Sequence, residues 1–287
     1  MFEFFGAVGE HAFLQNALWA GVLASIGCGV TGTYVVVRRI GLISGGIAHA
    51  VLGGMGVAYF FGHEPLLGAV IAALLAAILI SWISRRHGEQ EDILISAVWA
   101  IGMAIGILFI SQTPGYTVDL MSYLFGNVLL VDTTSLKLMA LLDVVIVGFV
   151  LVFYKQLLAT VFDEEFARVR GLRTALIYTL LLCMVALTVV LLVPVVGLVL
   201  VIALLTLPAA IAVHFVSSLG GIMLVSIILG IVFTGTGMAL SYQPDLPAGA
   251  TIIMVAGFVY LMAIAFANHR RAASARNAVD LSKRAGP

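Results

Sequence analysis

Apolar residues in this chain occur in long continuous runs, and most of these runs hold roughly eighteen residues or more. Runs of that length predict segments that cross a lipid bilayer, and their continuity favours helices over alternating strands. The sequence therefore predicts an all-α, polytopic integral membrane protein with about nine transmembrane helices, within a range of about eight to ten. The predicted spans are Leu14–Val37, Ile43–Phe61, Leu66–Ser84, Ile93–Ser111, Leu136–Tyr154, Ala175–Val193, Val196–Val216, Ile222–Leu240 and Ala250–Ala267.

Two stretches leave the count open. Val118–Val131 is apolar but short for a crossing, so a surface helix or a re-entrant helix is expected there. Pro194, in the sequence VPVVG, either kinks one helix or separates two. Residues 1–287 are expected to form a single transmembrane domain, with spans over 14–267 and a basic tail at 268–287.

The composition supports this prediction, because 62% of the residues are hydrophobic and only 10% are charged. A soluble domain is nearer half apolar and a quarter charged. Lys and Arg mark cytoplasmic loops, and nine spans with an external N-terminus place every one of the 14 basic residues except Lys137 on the inside, together with the C-terminus. These basic residues are too few and too scattered to indicate nucleic-acid binding.

One cytoplasmic loop, residues 160–174, contains the densely charged sequence FDEEFARVRGLRT. Acidic residues come first, basic residues follow, and a glycine ends the run, which favours a short helix with a glycine C-cap. Such a helix could dock into a groove on a soluble partner, and the alternative is an ordinary solvated loop. The residues of interest are Asp163, Glu164, Glu165, Ala167, Arg168 and Gly171.

The second predicted span has a face of small residues that includes one histidine. Gly41, Gly45, His49 and Gly53 recur every four positions, and Gly54 belongs to a second row of small residues beside them. Small faces allow close helix packing, so His49 is expected to face protein rather than lipid. An ionisable side chain within a span is a candidate functional residue, and imidazole is a common metal ligand. The alternative is a buried histidine bonded to a backbone carbonyl.

Two further residues within spans are candidates. Asp143, in the fifth predicted span, either pairs with a neighbouring helix or attracts cations near the external entrance. Pro208 lies within LLTLPAA, where it removes a backbone hydrogen bond and is predicted to kink the helix.

Several motifs resemble those of the zinc/manganese/iron-type permeases of ABC importers. Glu165, Phe166 and Ala167, followed after three residues by Gly171, resemble the E-A-A-x-x-x-G pattern of the loop that contacts the ATPase, with Phe166 in place of the middle alanine. Four further segments match that family in the same order, and the likeness covers roughly residues 10–268. These segments are Val35–Gly54, Tyr123–Leu129, Gly197–Ala210 and Tyr242–Leu261.

The resemblance implies a permease subunit of the metal/cobalamin-importer type in a bacterial or archaeal cytoplasmic membrane. Two permease copies would form a homodimer with two ATPase subunits, and an extracytoplasmic metal-binding protein would deliver zinc, manganese or iron. The six loop residues would couple the permease to the ATPase, and His49 and Asp143 would line the path or bind the ion transiently. No tightly bound cofactor is expected. The chain has no GxxxxGK[ST] loop, so ATP would be hydrolysed on another chain and this subunit would not be an enzyme.

Gly45 departs from the family pattern, because the family often has an acid four residues before this histidine. An iron chelate or another small cargo is therefore an alternative to a free ion. A stand-alone secondary transporter is the other alternative. Such proteins commonly depend on intramembrane ionisable groups, which are scarce in this chain.

Overall fold

The computed structural model describes residues 2–85, 91–113, 126 and 128–284. Arg86 and most of the stretch Val118–Val131, with most of the motif Tyr123–Leu129, lie outside the described residues. Within the described ranges the fold is all-helical, and a short 3-10 turn forms at Val128–Leu130. The helices are α1 (Phe2–Glu10), α2 (Ala12–Val37), α3 (Gly41–Phe60), α4 (Pro65–Ser84), α5 (Glu91–Ser111), α6 (Thr133–Phe162), α7 (Glu164–Val169), α8 (Thr174–Val196), α9 (Leu198–Ala212), α10 (Leu219–Tyr242) and α11 (Ala248–Arg284).

The described part of the chain has seven helices that are long and apolar enough to cross a membrane: α2, α3, α4, α6, α8, α10 and the Ala248–Ala267 part of α11. Two shorter apolar helices, Ile95–Ser111 within α5 and Leu198–Ala212, fall in the remaining predicted spans. The all-α membrane fold is thus confirmed, whereas the count of about nine crossings stays a prediction.

Helix α2 lies at the centre of the bundle and packs against α6, α8, α9 and α10. Its small residues permit this crowding, because a side chain at Gly32 would overlap the backbone carbonyl of Leu205. A Cβ at Gly29 would come within 2.9 Å of the backbone nitrogen of Ile227. Close approach of backbones through small residues is a main source of helix association in lipid, so these glycines fix the positions of α9 and α10.

Helices α3, α4 and α5 form a second group in which α3 lies between the other two. Gly54 of α3 packs directly on the backbone of Gly68 in α4, and Gly53 packs on Gly102 in α5. These contacts agree with the packing function predicted for Gly53 and Gly54. Packing was predicted for Gly41 and Gly45 as well, but a Cβ at either position would meet no described atom within 4 Å. Gly53 and Gly54 lie in the later turns of α3, where the backbones of α5 and α4 come closest, whereas a Cβ at the neighbouring Gly46 would come nearest to atoms of Ile95 and Ile80.

The boundary between α8 and α9 is set by glycine rather than by proline. Helix α8 continues through Pro194 to Val196, and Gly197, with φ of +84°, ends it. Gly126 packs on the backbone at this break. Helix α9 continues past Pro208 to Ala212, and the kink at this proline stays a prediction. A kink does occur at Phe153 in α6, where φ is −102° and ψ is 15°.

Helix α6 begins at a capping carboxylate. Asp132 accepts hydrogen bonds from the backbone nitrogens of Ser135 at 3.1 Å and Thr134 at 3.3 Å. Hydrogen bonds from the side chain and backbone of Ser135, and from Thr134, hold the pKa of Asp132 below its usual range. The cap fixes the first turn of the helix that carries Asp143.

Candidate functional site

The loop FDEEFARVRGLRT forms the short helix that its charge pattern predicts, with Glu164 and Glu165 in the first turn of α7. Asp163 is the N-cap, and its carboxylate accepts a hydrogen bond from the backbone nitrogen of Phe166 at 2.8 Å. A capped acidic first turn satisfies an otherwise free N–H group and is favoured by the helix dipole.

The end of α7 is a glycine C-cap. Gly171 has φ of +80°, a conformation that glycine adopts without strain. Its nitrogen donates to the carbonyl of Arg168 at 3.0 Å, and the nitrogen of Leu172 donates to the carbonyl of Ala167 at 3.1 Å. These two bonds close the last turn and return the chain toward α8.

The two faces of α7 differ in exposure. Ala167 is fully buried and holds the helix against the body of the protein, and its predicted part in coupling to an ATPase stays a prediction. Glu165 is exposed, and beside it Phe166 and Val169 are 51% and 87% exposed. Exposed apolar side chains at the end of a membrane bundle indicate a surface for a partner. In the sequence, these two residues differ from their neighbours because they are apolar within a densely charged segment.

Glu164 faces inward and forms an ion pair that the sequence did not reveal. Its Oε2 lies 2.7 Å from Nη2 of Arg38, and both side chains are partly buried. The Arg38 guanidinium also lies 5.5 Å from the ring centroid of Tyr178, in α8. Arg168 makes a longer contact of 3.4 Å with the other oxygen of Glu164. The two partners of the shorter pair are 126 positions apart, so no local pattern could predict it.

A cleft of about 480 Å³ opens beside this ion pair. Its charged lining residues are Arg38, Arg39, Arg85, Asp92, Glu164 and Arg168. The structure thus brings basic residues from separate loops to the end of the bundle that carries α7.

His49 lies at the contact between α3 and α5. Its ring stacks on the indole of Trp99, with the ring centroids 4.3 Å apart and an angle of 7° between the planes. Trp99 in turn donates its Nε1–H to the sulfur of Met103 at 3.2 Å. A Cβ added at Gly102 would lie 3.3 Å from the carbonyl oxygen of His49, so this glycine permits the close approach.

The imidazole is buried but not fully satisfied. His49 is 8% exposed, and its Nδ1 has no hydrogen-bond partner among the described residues. The carbonyl-bonded alternative is therefore not seen at this nitrogen. One turn earlier, a Cβ added at Gly45 would meet no described atom within 4 Å. A neutral imidazole nitrogen without a partner can accept a metal ion or a water molecule.

Asp143 lies among α6, α2 and α8. It is 6% exposed, and its Oδ2 has no hydrogen-bond partner within the described ranges. Its Oδ1 would be 2.8 Å from a Cβ at Gly27, so the glycine provides the room that this carboxylate occupies. The methyl group of Thr188 lies on the same side of Gly27. This position favours the helix-paired alternative for Asp143.

His49 and Asp143 thus belong to different helix contacts. No group of three or more His, Cys, Asp or Glu residues in the described parts of the chain could hold a metal ion. The arrangement can offer a single imidazole to a passing ion, which is suited to weak and reversible contact. Tight structural metal sites commonly have four protein ligands.

Comparison with known proteins identifies relatives along nearly the whole chain. An uncharacterized membrane protein of Synechocystis sp. is 45% identical over 257 residues, which cover 90% of this chain and 92% of the relative. The manganese transport system membrane protein MntC of Halalkalibacterium halodurans is 33% identical, over 92% of this chain and 90% of its own. The structure of PsaBC from Streptococcus pneumoniae in complex with Fab superposes with a TM-score of 0.82 at 31% identity, covering 91% of this chain and 94% of that one.

The family assignment follows from these likenesses and from one family model. The model described as ABC 3 transport family matches residues 10–267, which include every predicted span and the whole of α7. The chain belongs to the ABC 3 transport family.

Proposed function

We propose that this chain is the transmembrane permease subunit of an ABC importer that takes up a divalent metal ion. Helix α7 carries this proposal, because it is a capped, outward-facing helix at the end of the bundle that also bears the clustered arginines. The relatives named as transport proteins support the function, and MntC supports manganese in particular, with zinc and iron as the other candidates.

The ATPase would dock on the exposed face of α7. Glu165, Phe166 and Val169 offer a charge flanked by apolar surface, while Asp163 and Gly171 fix the two ends of the helix. ATP would be bound and hydrolysed only on the partner. Movement of the ATPase would shift α7 as a rigid body and change the access of the spans above it.

The ion would pass His49 during transport. Two observations on the described residues support this position: the Nδ1 of His49 has no hydrogen-bond partner among them, and none of their atoms lies within 4 Å of a Cβ added at Gly45. Asp143 could attract cations from within the outer half of its span, although its contact with Gly27 favours a structural part for it. Because a single imidazole binds an ion weakly, selectivity would be set largely by the protein that delivers the metal.

The complete assembly would be a homodimer of this permease with two ATPase subunits and an extracytoplasmic metal-binding protein. It would lie in a bacterial or archaeal cytoplasmic membrane with the N-terminus outside. The arginines around the cleft would then be cytoplasmic, in keeping with the enrichment of basic residues on that side.

The experiment that tests this function measures the metal content of cells. A strain lacking this gene is complemented with wild type, Gly171→Val or His49→Ala and grown with limiting manganese, zinc or iron. Wild type is expected to restore one metal, Gly171→Val to abolish the recovery because a β-branched residue is strained at φ of +80°, and His49→Ala to lower it while the protein still assembles.

Two controls make the result decisive. Gly148→Ala alters a glycine where a Cβ meets no described atom within 4 Å, and it should behave as wild type. Recovery of no metal by wild type, with its partners present, would contradict metal uptake. Uptake of a metal chelate or uptake independent of ATP would then support the alternative cargo or the secondary transporter.

A further inference from the structure

The ion pair between Arg38 and Glu164 joins α7 to the turn that precedes the His49 helix. Arg38 follows the last residue of α2, and α3 begins only three positions later, at Gly41. Glu164 is the first residue of α7. A single contact of 2.7 Å therefore links the proposed ATPase-docking helix to the start of the helix that carries the candidate metal ligand.

We propose that Arg38 is a positioning residue that transmits movement of α7 to the α2–α3 turn and thereby to His49. The inference rests on the proposed function, because a docked ATPase must supply the movement. It concerns residues outside the exposed docking face, since both members of the pair are partly buried and face into the protein.

The turn itself is suited to carry such a movement. The nitrogen of Arg39 donates to the carbonyl of Val36 at 3.1 Å, and the nitrogen of Ile40 donates to the carbonyl of Val35 at 2.9 Å. This pair of bonds is a Schellman closure, which ties the turn to the last turn of α2. At the other end of the turn, the nitrogen of Ser44 in α3 donates to the carbonyl of Ile40 at 3.2 Å, so a displacement of Arg38 is passed to the first residues of α3 rather than absorbed by a loose loop.

The surroundings of Arg38 make its pair with Glu164 stronger than the neighbouring one. Arg38 is held on one side by Glu164 and lies over the ring of Tyr178, at the start of α8. Arg168 competes for the same carboxylate, but its contact is longer, at 3.4 Å, and its side chain is 69% exposed. Exposed ion pairs are screened by water and salt and contribute little free energy. The coupling is therefore assigned to the pair of Arg38 with Glu164.

Charge reversal in the purified permease–ATPase complex tests the proposal. The variants are Arg38→Glu, Glu164→Arg and the double exchange, in proteoliposomes with manganese or zinc as the probe. Three quantities are measured: ATPase bound per permease, ATP hydrolysed, and metal transported per ATP. Each single reversal should lower metal transported per ATP about five- to tenfold, a typical size for an allosteric coupling, with the ATPase still bound. The double exchange should recover most of it.

The matched control is Lys155→Glu. Lys155 is exposed on α6 and has no ion pair among the described residues, so the same change of charge there should leave the ratio as in wild type. If a reversal prevents assembly, Arg38→Gln and Glu164→Gln remove the pair without introducing a like-charge contact. Each of these two variants should lower the metal transported per ATP by the same factor, and the double variant should lower it no further.

Several outcomes would overturn the proposal. An unchanged ratio in Arg38→Glu would show that the pair carries no coupling. Loss of bound ATPase in Arg38→Glu would show that Arg38 contributes to ATPase docking instead. If the double exchange transports no more metal per ATP than the worse single variant, the two residues act separately. Absence of ATP-dependent uptake by wild type would reject the proposed function as well, whereas normal wild-type uptake with an insensitive Arg38 would reject this inference alone.

Discussion

The imidazole of His49 and the indole of Trp99 lie face to face, 4.3 Å apart at their centroids and within 7° of parallel. Trp99 belongs to α5 and donates its Nε1–H to the sulfur of Met103, one turn later on the same helix. The stack covers one face of the imidazole and determines the plane of its ring. The orientation of the candidate ligand is thus set by a residue on another helix.

Replacing Trp99 should therefore impair metal capture. We expect Trp99→Leu to raise KM for metal uptake about three- to tenfold with a smaller effect on kcat, since an aromatic pair contributes about 0.5–1.5 kcal/mol. Trp99→Phe, which can still stack, should recover most of the loss. Trp19→Leu is the matched control, because Trp19 is an exposed tryptophan on α2. Equal KM values in Trp99→Leu and wild type would contradict a positioning function.

Gly45→Asp should strengthen binding at His49. The new carboxylate would lie one turn before the histidine, in space where a Cβ meets no described atom within 4 Å. An added oxygen ligand should lower KM for manganese on the order of tenfold, because ligand charge tunes metal affinity. Turnover should fall as release slows. Gly45→Asn adds similar bulk without the charge and should show little gain, and no gain should remain in a His49→Ala background.

A methyl group at Gly54 should destabilise the α3–α4 contact. Its Cβ would overlap the carbonyl of Gly68, so the helices must separate. Overpacking of this kind costs about 1–3 kcal/mol, which corresponds to a Tm lowered by roughly 2–10 °C in purified protein. Gly235→Ala, at a position where no described atom lies within 4 Å of the added Cβ, should leave Tm unchanged. A Tm for Gly54→Ala equal to that of wild type would mean that α3 and α4 can separate at this point without loss of stability.

Asp143→Asn should preserve transport. The carboxylate is buried, and one of its oxygens has no hydrogen-bond partner among the described residues. An ionised group within a span is costly, so a neutral side chain of the same shape should raise Tm slightly. Uptake should stay within about twofold of wild type if the residue is structural, a change well below 1 kcal/mol. Gly27→Ala, which crowds the same carboxylate, should lower Tm instead. A tenfold loss of uptake in correctly assembled Asp143→Asn would place the carboxylate in the ion path.

Substitutions of Gly171 should follow backbone preference rather than size. The residue has φ of +80°, and an added Cβ would meet no described atom within 4 Å, so the expected strain arises from the backbone. Asparagine tolerates this region better than alanine, and valine tolerates it least. ATPase retained on purification, and uptake with it, should fall in the order Gly171→Asn, Gly171→Ala, Gly171→Val. Equal loss in all three would mean that the partner contacts Gly171 itself.

The sequence by itself determined the membrane class, the helical segments and the short helix α7. Continuous apolar runs can be satisfied in lipid only by internal hydrogen bonding, and the order of acid, base and glycine specifies a capped helix over a few residues. These features depend on interactions within a single segment, so they can be read along the chain. The small faces of α3 were likewise visible, although which glycines contact a neighbour was not.

Only the tertiary structure decided the relationships between segments. The pairing of Arg38 with Glu164, the stack of His49 on Trp99, and the placement of Asp143 against Gly27 each join residues from separate helices. The burial of Ala167 depends on how α7 lies against the bundle, and the contacts of Gly53 and Gly54 depend on where α5 and α4 approach α3. Helix packing in lipid depends on close contact between helices at small residues. Many arrangements of the same apolar segments would allow such contacts, so the sequence of one segment does not determine which helices become its neighbours.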